Sequence, residues 1–194
     1  MNTTSILVVL SSFVMIGGMI PYIKDIIQGK TKPRIISWFI WTCLTGISFF
    51  ASIVERQYPT AILMFFSMLS TLSVVILGWK DRQGGVSKLD VICLIGTIIG
   101  AILWAIFNTP SIAVIAMVCI DFVGGVPTQV HCWKKPHEET RFMFIMSGVS
   151  ALLTFLAIQE WKVTAFAFPL YLFLINIEYV IVITSRRLYL KKKR

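Results

Sequence analysis

Seven apolar runs, each about as long as a helix that crosses a bilayer, constrain this chain more than any other feature. They lie near Ser5–Ile27, Ile35–Val54, Thr60–Trp79, Leu89–Phe107, Ser111–Trp133, Phe142–Ile158 and Val163–Thr184. Crossing the hydrocarbon core takes roughly 20 residues of helix, and in lipid every backbone polar group must find its partner within the helix or bundle. The runs therefore predict an all-α membrane protein with seven transmembrane helices. Composition agrees, with 57% apolar residues and a mean hydropathy of +0.82, above the range of soluble domains.

The net charge of +9 raises the question of a nucleic-acid partner, and the placement of the basic residues answers it. Lys24, Lys30, Lys32 and Arg34 lie at the first connection, Lys80, Arg82 and Lys88 at the third, and Lys134, Lys135 and Arg141 at the fifth. Arg186, Arg187, Lys191, Lys192, Lys193 and Arg194 form the tail. Only Arg56 and Lys162 fall on the other side of a seven-span arrangement. The positive-inside rule makes the basic side cytoplasmic, with the N-terminus outside and the C-terminus inside. The charge thus sets topology and meets anionic headgroups; the expected partners are the lipid bilayer and a small-molecule substrate, with no nucleic acid. The expected location is the cell membrane, as a multi-pass integral protein. The first run reads as a span rather than a cleaved signal, since it has no basic n-region.

Cys43, Cys93, Cys119 and Cys132 all fall within spans, without a C-x-x-C pair or a histidine cluster at ligand spacing. They read as buried thiols, with no metal site and no cofactor. Trp38 and Trp41 share a helix face near the cytoplasmic end, where indoles commonly sit at headgroup level. His137, Glu138 and Glu139 read as solvated loop charge. Ser87 and Asp90 have the spacing of a cap for the fourth span, while Gly96 and Gly100 suit an internal contact or the interface of a homo-oligomer.

The polar residues inside the spans are few. Asp121 lies about ten residues into the fifth span, where a carboxylate is costly unless paired or wetted and so is functional by default. Asp121, Gly124, Gly125 and Thr128 share a small, polar helix face. In the seventh span Asn176 falls near mid-membrane and can both donate and accept. Glu178, two residues on, points nearly opposite and is assigned to another partner, for which Lys24 is one candidate. The third span offers Ser70, Thr71 and Ser73. The candidate substrate-binding set is therefore Asn176, Asp121, Thr71, Ser73, Ser70 and Thr128, with proton coupling through Asp121 and Glu178. Prolines within spans free backbone carbonyls, so Pro21 with Gly17 and Gly18, and Pro127 with Gly124 and Gly125, are candidate hinges, the alternative being tight helix packing at the glycines.

The chain is internally repeated. Laying Pro21 on Pro127 brings Gly17 close to Gly124, Pro33 near Pro136 and Gly46 near Gly148. Two units of three spans joined by a fourth are parallel repeats, an arrangement that puts a site near the midplane at their interface. The expected units are residues 1–83, a linker helix within 84–109, and 110–194 with the basic tail.

On these features the chain resembles the SWEET and PQ-loop-repeat superfamily of transporters, with its 3+1+3 order and outside N-terminus. Pro21-Tyr22 and Pro127-Thr128 stand where that family has its Pro-Gln pairs, with Gln129 one position late. Asn176 matches the seventh-span Asn of SWEET sugar carriers, whose third-span counterpart falls near Leu72. Pro21, Pro33, Pro127 and Pro136 echo the proline tetrad. Asp121 is similar to the fifth-span Asp of proton-coupled amino-acid exporters of the PQ-loop type. The small size and the inner charges suit a prokaryotic member. The resemblance implies a carrier that moves a small polar metabolite, sugar or amino-acid-like, by alternating access. The alternative is a seven-helix receptor of the same fold that binds its ligand without translocating it, as the KDEL receptor does. An enzyme is not expected, as neither H-E-x-x-H nor G-x-S-x-G occurs.

Overall fold

The apolar runs all become helix. The computed structural model describes residues 3–54, 58–79, 86–107, 110–159 and 161–193, and the regular structure among them is entirely helical. Seven α-helices follow in order: α1 (Thr3–Ile27), α2 (Ile35–Val54), α3 (Tyr58–Gly78), α4 (Lys88–Phe107), α5 (Pro110–Lys134), α6 (Arg141–Leu156) and α7 (Val163–Lys192). A 3-10 turn, Pro136–Glu138, leads into α6. Stretches of α1, α5 and α7, over Ile6–Ile27, Val114–Lys134 and Ala165–Lys192, are long and apolar enough to cross a membrane. The connection carrying Lys80, Arg82, Gly84 and Gly85, and Arg56 in the outer turn, lie outside the described residues.

Local chemistry explains several boundaries. Ser87 and Asp90 form a reciprocal cap at the start of α4: the Asp90 backbone N–H donates to Ser87 Oγ (3.2 Å), and the Ser87 N–H donates to Asp90 Oδ2 (2.8 Å). Arg34 pairs with the same buried carboxylate and ties α4 to the start of α2. Gly29, with φ of +68°, turns the chain after α1. The left-handed conformation is cheap only for glycine. Pro21, Pro127 and Pro169 lie inside continuous helices, whereas Pro33 precedes α2 and Pro136 opens the 3-10 turn.

The tail departs from expectation. Helix α7 continues past Thr184 to Lys192. Arg186 Nε donates to the Trp133 carbonyl (3.1 Å), and Arg187 to the carbonyls of Pro136 (2.9 Å) and Glu139 (2.6 Å). These arginines satisfy carbonyls at the end of α5 and in the following loop, which would otherwise stay orphaned.

Helix packing closes a ring. α1 contacts α3 and α6, α2 contacts α3 and α5, and α7 contacts α5 and α6, while α4 lies against α5 and the edge of α2. The contacting residues give the directions. Phe49 meets Phe65 while Ile35 meets Gly78, so α2 and α3 are antiparallel. Phe144 stacks on Tyr179 while Arg141 reaches Thr184, so α6 and α7 are also antiparallel. Asp121 meets Tyr171 while Trp133 meets Arg186, so α5 and α7 run parallel.

Two tight glycine contacts in this ring lie at positions related by the expected repeat. A C–β bond added at Gly18 would come within 2.5 Å of Met146 Cβ, and one added at Gly124 within 2.7 Å of Ile40 Cγ2. The shift that carries Pro21 to Pro127 carries Gly18 to Gly124 and Ile40 to Met146. The closest glycine approach of α1 on α6 and that of α2 on α5 thus fall at positions related by one shift, although α1 and α6 pack over a longer stretch than α2 and α5. Gly18, rather than Gly17, is the counterpart of Gly124. Without a hydrophobic drive between apolar helices, close approach at small residues is what holds them.

The main buried cluster lies toward the basic end. It includes Tyr22 and Ile26 of α1, Trp38 of α2, Val74 of α3, Cys132 of α5, Phe144 of α6, and Tyr179 and Ile183 of α7. Trp38 is 1% exposed, its ring 5.1 Å from that of Tyr22. It is a core residue and not a headgroup anchor. The same shift pairs Trp38 with Phe144 and Tyr22 with Thr128, and all four are buried.

Candidate functional site

Helix α5 carries a stripe at positions 121, 125, 129 and 133, four residues apart and hence on one face. Each position meets α7. Tyr171 donates its hydroxyl to Asp121 Oδ2 (2.7 Å), Tyr179 to the Gly125 carbonyl (3.1 Å), Gln129 Nε2 to Glu178 Oε2 (3.0 Å), and Arg186 to the Trp133 carbonyl. Asp121 is buried and held by a neighbouring helix. Glu178, on an exposed part of α7, is bonded by Gln129, so the expected pairing with Lys24 is replaced. The reason is register: α5 and α7 run parallel, which brings their later turns side by side, whereas Lys24 lies on α1, which packs against α3 and α6.

The expected face of Asp121, Gly124, Gly125 and Thr128 is therefore split. Gly124 abuts Ile40 on α2, whereas Gly125 lies under Tyr179 and Trp41, where an added Cβ would come within 2.8 Å of the Tyr179 hydroxyl and 3.6 Å of the Trp41 ring. Thr128 is fully buried and its Oγ1 has no hydrogen-bond partner. Ser37 Oγ, Trp38 Nε1 and Trp41 Nε1 of α2 are likewise buried without partners. Buried donors are normally satisfied. These four groups, on the mutually packed α2 and α5, make up half of the buried unpartnered side-chain N and O atoms among the described residues.

Asn176 is buried with its Cβ position 3.4 Å from a Cβ built at Gly148 of α6, and its Nδ2 donates to the Leu172 carbonyl one turn back (2.8 Å). It faces α6, whereas Tyr171, five residues earlier, faces α5. The described contacts do not bring Asn176 and Asp121 together. The third-helix hydroxyls are occupied locally: Ser70 donates to Phe66 O (2.8 Å), Thr71 to Met68 O (3.0 Å) and Ser73 to Leu69 O (2.7 Å). Back-bonding of this kind is the common fate of hydroxyls in apolar helices. Their remaining lone pairs can still accept. Gly17, with Met146 Cε at 3.8 Å, has ordinary room, and Gly18 is a tight contact.

A second polar constellation lies at the basic end, and it overturns the reading of the fifth connection as solvated charge. Glu139 is 1% exposed. Its Oε2 accepts the Tyr22 hydroxyl at 3.0 Å, while Oε1 is buried without a partner. Loss of water raises its carboxyl to about 8; the charge of Glu138 adds to the shift, and the Tyr22 hydrogen bond and Arg187 oppose it. Beside it Thr140 donates to Asp25 Oδ2 (2.7 Å) and shares a hydrogen bond with Thr31. Lys32 donates its backbone N–H to the Glu138 carbonyl (2.8 Å). These bonds tie the end of α1 and its following turn to the α5–α6 connection. They surround a cavity of about 340 Å³. Tyr22, Trp41, Tyr171 and Glu139 were not among the expected site residues; the repeat shift, which puts Tyr22 on Thr128, points to the first of them.

No protein-family model, curated protein or solved structure matches the chain.

Proposed function

We propose that the chain is a seven-span carrier of the SWEET and PQ-loop kind, moving a small polar metabolite by alternating access. The observation that carries this reading is the duplicated cross-repeat contact, Gly18 on Met146 and Gly124 on Ile40. In this reading the two related contacts are pivots about which one helix triplet rocks against the other around a central site. The basic end is the closed side in this reading: Tyr22, Trp38, Thr128 and Phe144 fill it. Its ties across the α1–α6 boundary are hydrogen bonds and one long ion pair, Lys32–Glu138 at 3.9 Å. Such contacts are worth about 0.5–1.5 kcal/mol each, and up to about 3 where a charged carboxylate accepts, and they are exchangeable for water when that end opens.

In this reading substrate polar groups meet the unpartnered donors of Trp41, Ser37 and Thr128, with Asn176 and Asp121 on the flanks and proton coupling through Asp121. The test is counterflow in liposomes against a panel of labelled sugars, amino acids, nucleosides and vitamins. One class is expected to exchange, with uptake falling at least roughly ten-fold in Trp41→Phe, which removes the indole N–H donor and keeps an aromatic ring. Absence of exchange for the whole panel by folded protein would favour the receptor of the same fold.

A further inference from the structure

The cavity at the basic end is built from charges of both signs. Its walls are Asp25, Lys30 and Thr31 from the first repeat, and His137, Glu139, Thr140, Arg141, Phe142, Ile145 and Arg187 from the second. An acidic pair belongs to the hydrogen-bonded wall: Asp25 accepts from Thr140, and Glu139 keeps Oε1 buried and unpartnered. The cations are turned outward. Arg141 is exposed and donates one N–H to Thr184 (3.1 Å), and Lys30 is exposed. Arg187 already spends donors on the Pro136 and Glu139 carbonyls. Once Glu139 is ionised, its unpartnered oxygen is an orphaned buried acceptor, which costs roughly 1–3 kcal/mol, and a donor from outside the chain would relieve it.

We propose that this cavity is a binding site for a zwitterion, an ammonium group joined by a short linker to a carboxylate or phosphate. The ammonium bonds Glu139 Oε1 and Asp25; the anionic group meets Arg141 and Lys30. A purely anionic ligand would face the two carboxylates, and a purely cationic one the surrounding basic residues. The size is suitable, as small-molecule pockets begin at about 300 Å³. Two sources supply this chemistry: free amino acids, and the headgroup of phosphatidylethanolamine, which the apolar lining residues Phe142 and Ile145 would admit from the side. Because the walls come from both repeats, an occupant joins α1 to α6. The site is separate from the patch between α2 and α5, and its existence does not depend on transport.

Binding also carries a pH signature. The groups facing Glu139 are Tyr22 on α1, Cys132 on α5, Glu138 on its own loop, and Tyr179 and Arg187 on α7, with Asp25, Lys30, His137 and Arg141 around the same cavity. Burial keeps Glu139 protonated up to about pH 8, so accepting an ammonium group requires the loss of that proton, and affinity falls as pH is lowered from 8.5 to 6.

The experiment has two arms on the purified full chain. In lipid-free detergent, thermal stability is followed against each of the twenty common amino acids, with acetate and ethylamine as half-ligands. In nanodiscs, native mass spectrometry counts retained phosphatidylethanolamine against phosphatidylglycerol. Glu139→Gln, Arg141→Gln and the cavity-filling Ile145→Trp are compared with wild type. The expected result is binding in at least one arm, weakened ten-fold or more by each variant, and at least ten-fold weaker at pH 6 than at pH 8.5. Ile145→Trp leaves every charge in place and so separates loss of the site from loss of the fold. The proposal is overturned if neither arm shows binding, if acetate or phosphatidylglycerol binds as well as the zwitterion, or if Asp121→Asn abolishes binding that Glu139→Gln leaves intact.

Discussion

Asp121 and Glu139 show how two acidic side chains in one helical chain are accommodated differently. Asp121 has a donor from an adjacent helix, the Tyr171 hydroxyl at 2.7 Å. Removing it by Tyr171→Phe leaves a buried carboxyl unsatisfied and should cost about 1–3 kcal/mol of stability. Asp121→Asn keeps an acceptor for Tyr171 and should cost less. Unfolding in mild detergent with added denaturant measures both, and equal costs would contradict the bond. Glu139 is instead held against Tyr22 with one oxygen unpartnered, its carboxyl raised from an ordinary 4.5 to about 8. The folded chain then retains a proton that the unfolded chain has lost between those values. Its stabilising share is fully present below the unfolded value and declines as pH rises to about 8, with a slope of up to about 1.4 kcal/mol per pH unit for one proton. Glu139→Gln should flatten the melting temperature between pH 5 and 8; a variant that retains the wild-type slope would assign the proton elsewhere. Asp121 was legible in the sequence because an acid inside an apolar run stands out. Glu139 was not, because its neighbours His137 and Glu138 are polar and only tertiary packing of Tyr22 and Arg187 around it shows that it is buried.

At the scale of elements, helix positions followed from apolar length, since an apolar run of that length satisfies its backbone within itself only as a helix. The exception is the end of α7, which runs on to Lys192 because Arg186 and Arg187 bond the α5–α6 connection. Which faces meet was less legible: Asp121, Gly124, Gly125 and Thr128 were expected on one face of α5, yet Asp121 and Gly125 meet α7 while Gly124 meets α2. The two cross-repeat contacts make a prediction that the repeat alone does not. Gly18→Ala and Gly124→Ala should each cost about 1–3 kcal/mol through overpacking. Ile40→Ala should partly rescue Gly124→Ala, because the close atom is Ile40 Cγ2, which alanine lacks. Met146→Ala should not rescue Gly18→Ala, because the close atom is Met146 Cβ, which alanine keeps. Double-mutant cycles read this as a favourable coupling for the first pair only. Coupling of both pairs, or of neither, would refute the packing described. The bond of Arg34 to buried Asp90 sets a second test: Arg34→Gln leaves that carboxylate without its countercharge and should cost about 3–5 kcal/mol.

For the whole molecule, the ring α1–α3–α2–α5–α7–α6 joins two triplets through α1–α6 and α2–α5. The main core cluster lies toward one end of the ring, and the hydrogen bonds across α1–α6 at that end link Tyr22 and Asp25 to Glu139 and Thr140. Alternating access requires that this end come apart. The measurement that tests it needs no knowledge of the substrate: spin labels at Gln28, in the turn after α1, and Lys134, at the end of α5, with the distance between them followed by double electron–electron resonance in liposomes from pH 5 to 9. Alternating access predicts two distance populations, one matching the packed end and one longer by several ångströms, whose ratio shifts with pH and in Gly18→Ala. A single narrow distance under every condition would contradict the opening of the basic end, and with it the carrier mechanism.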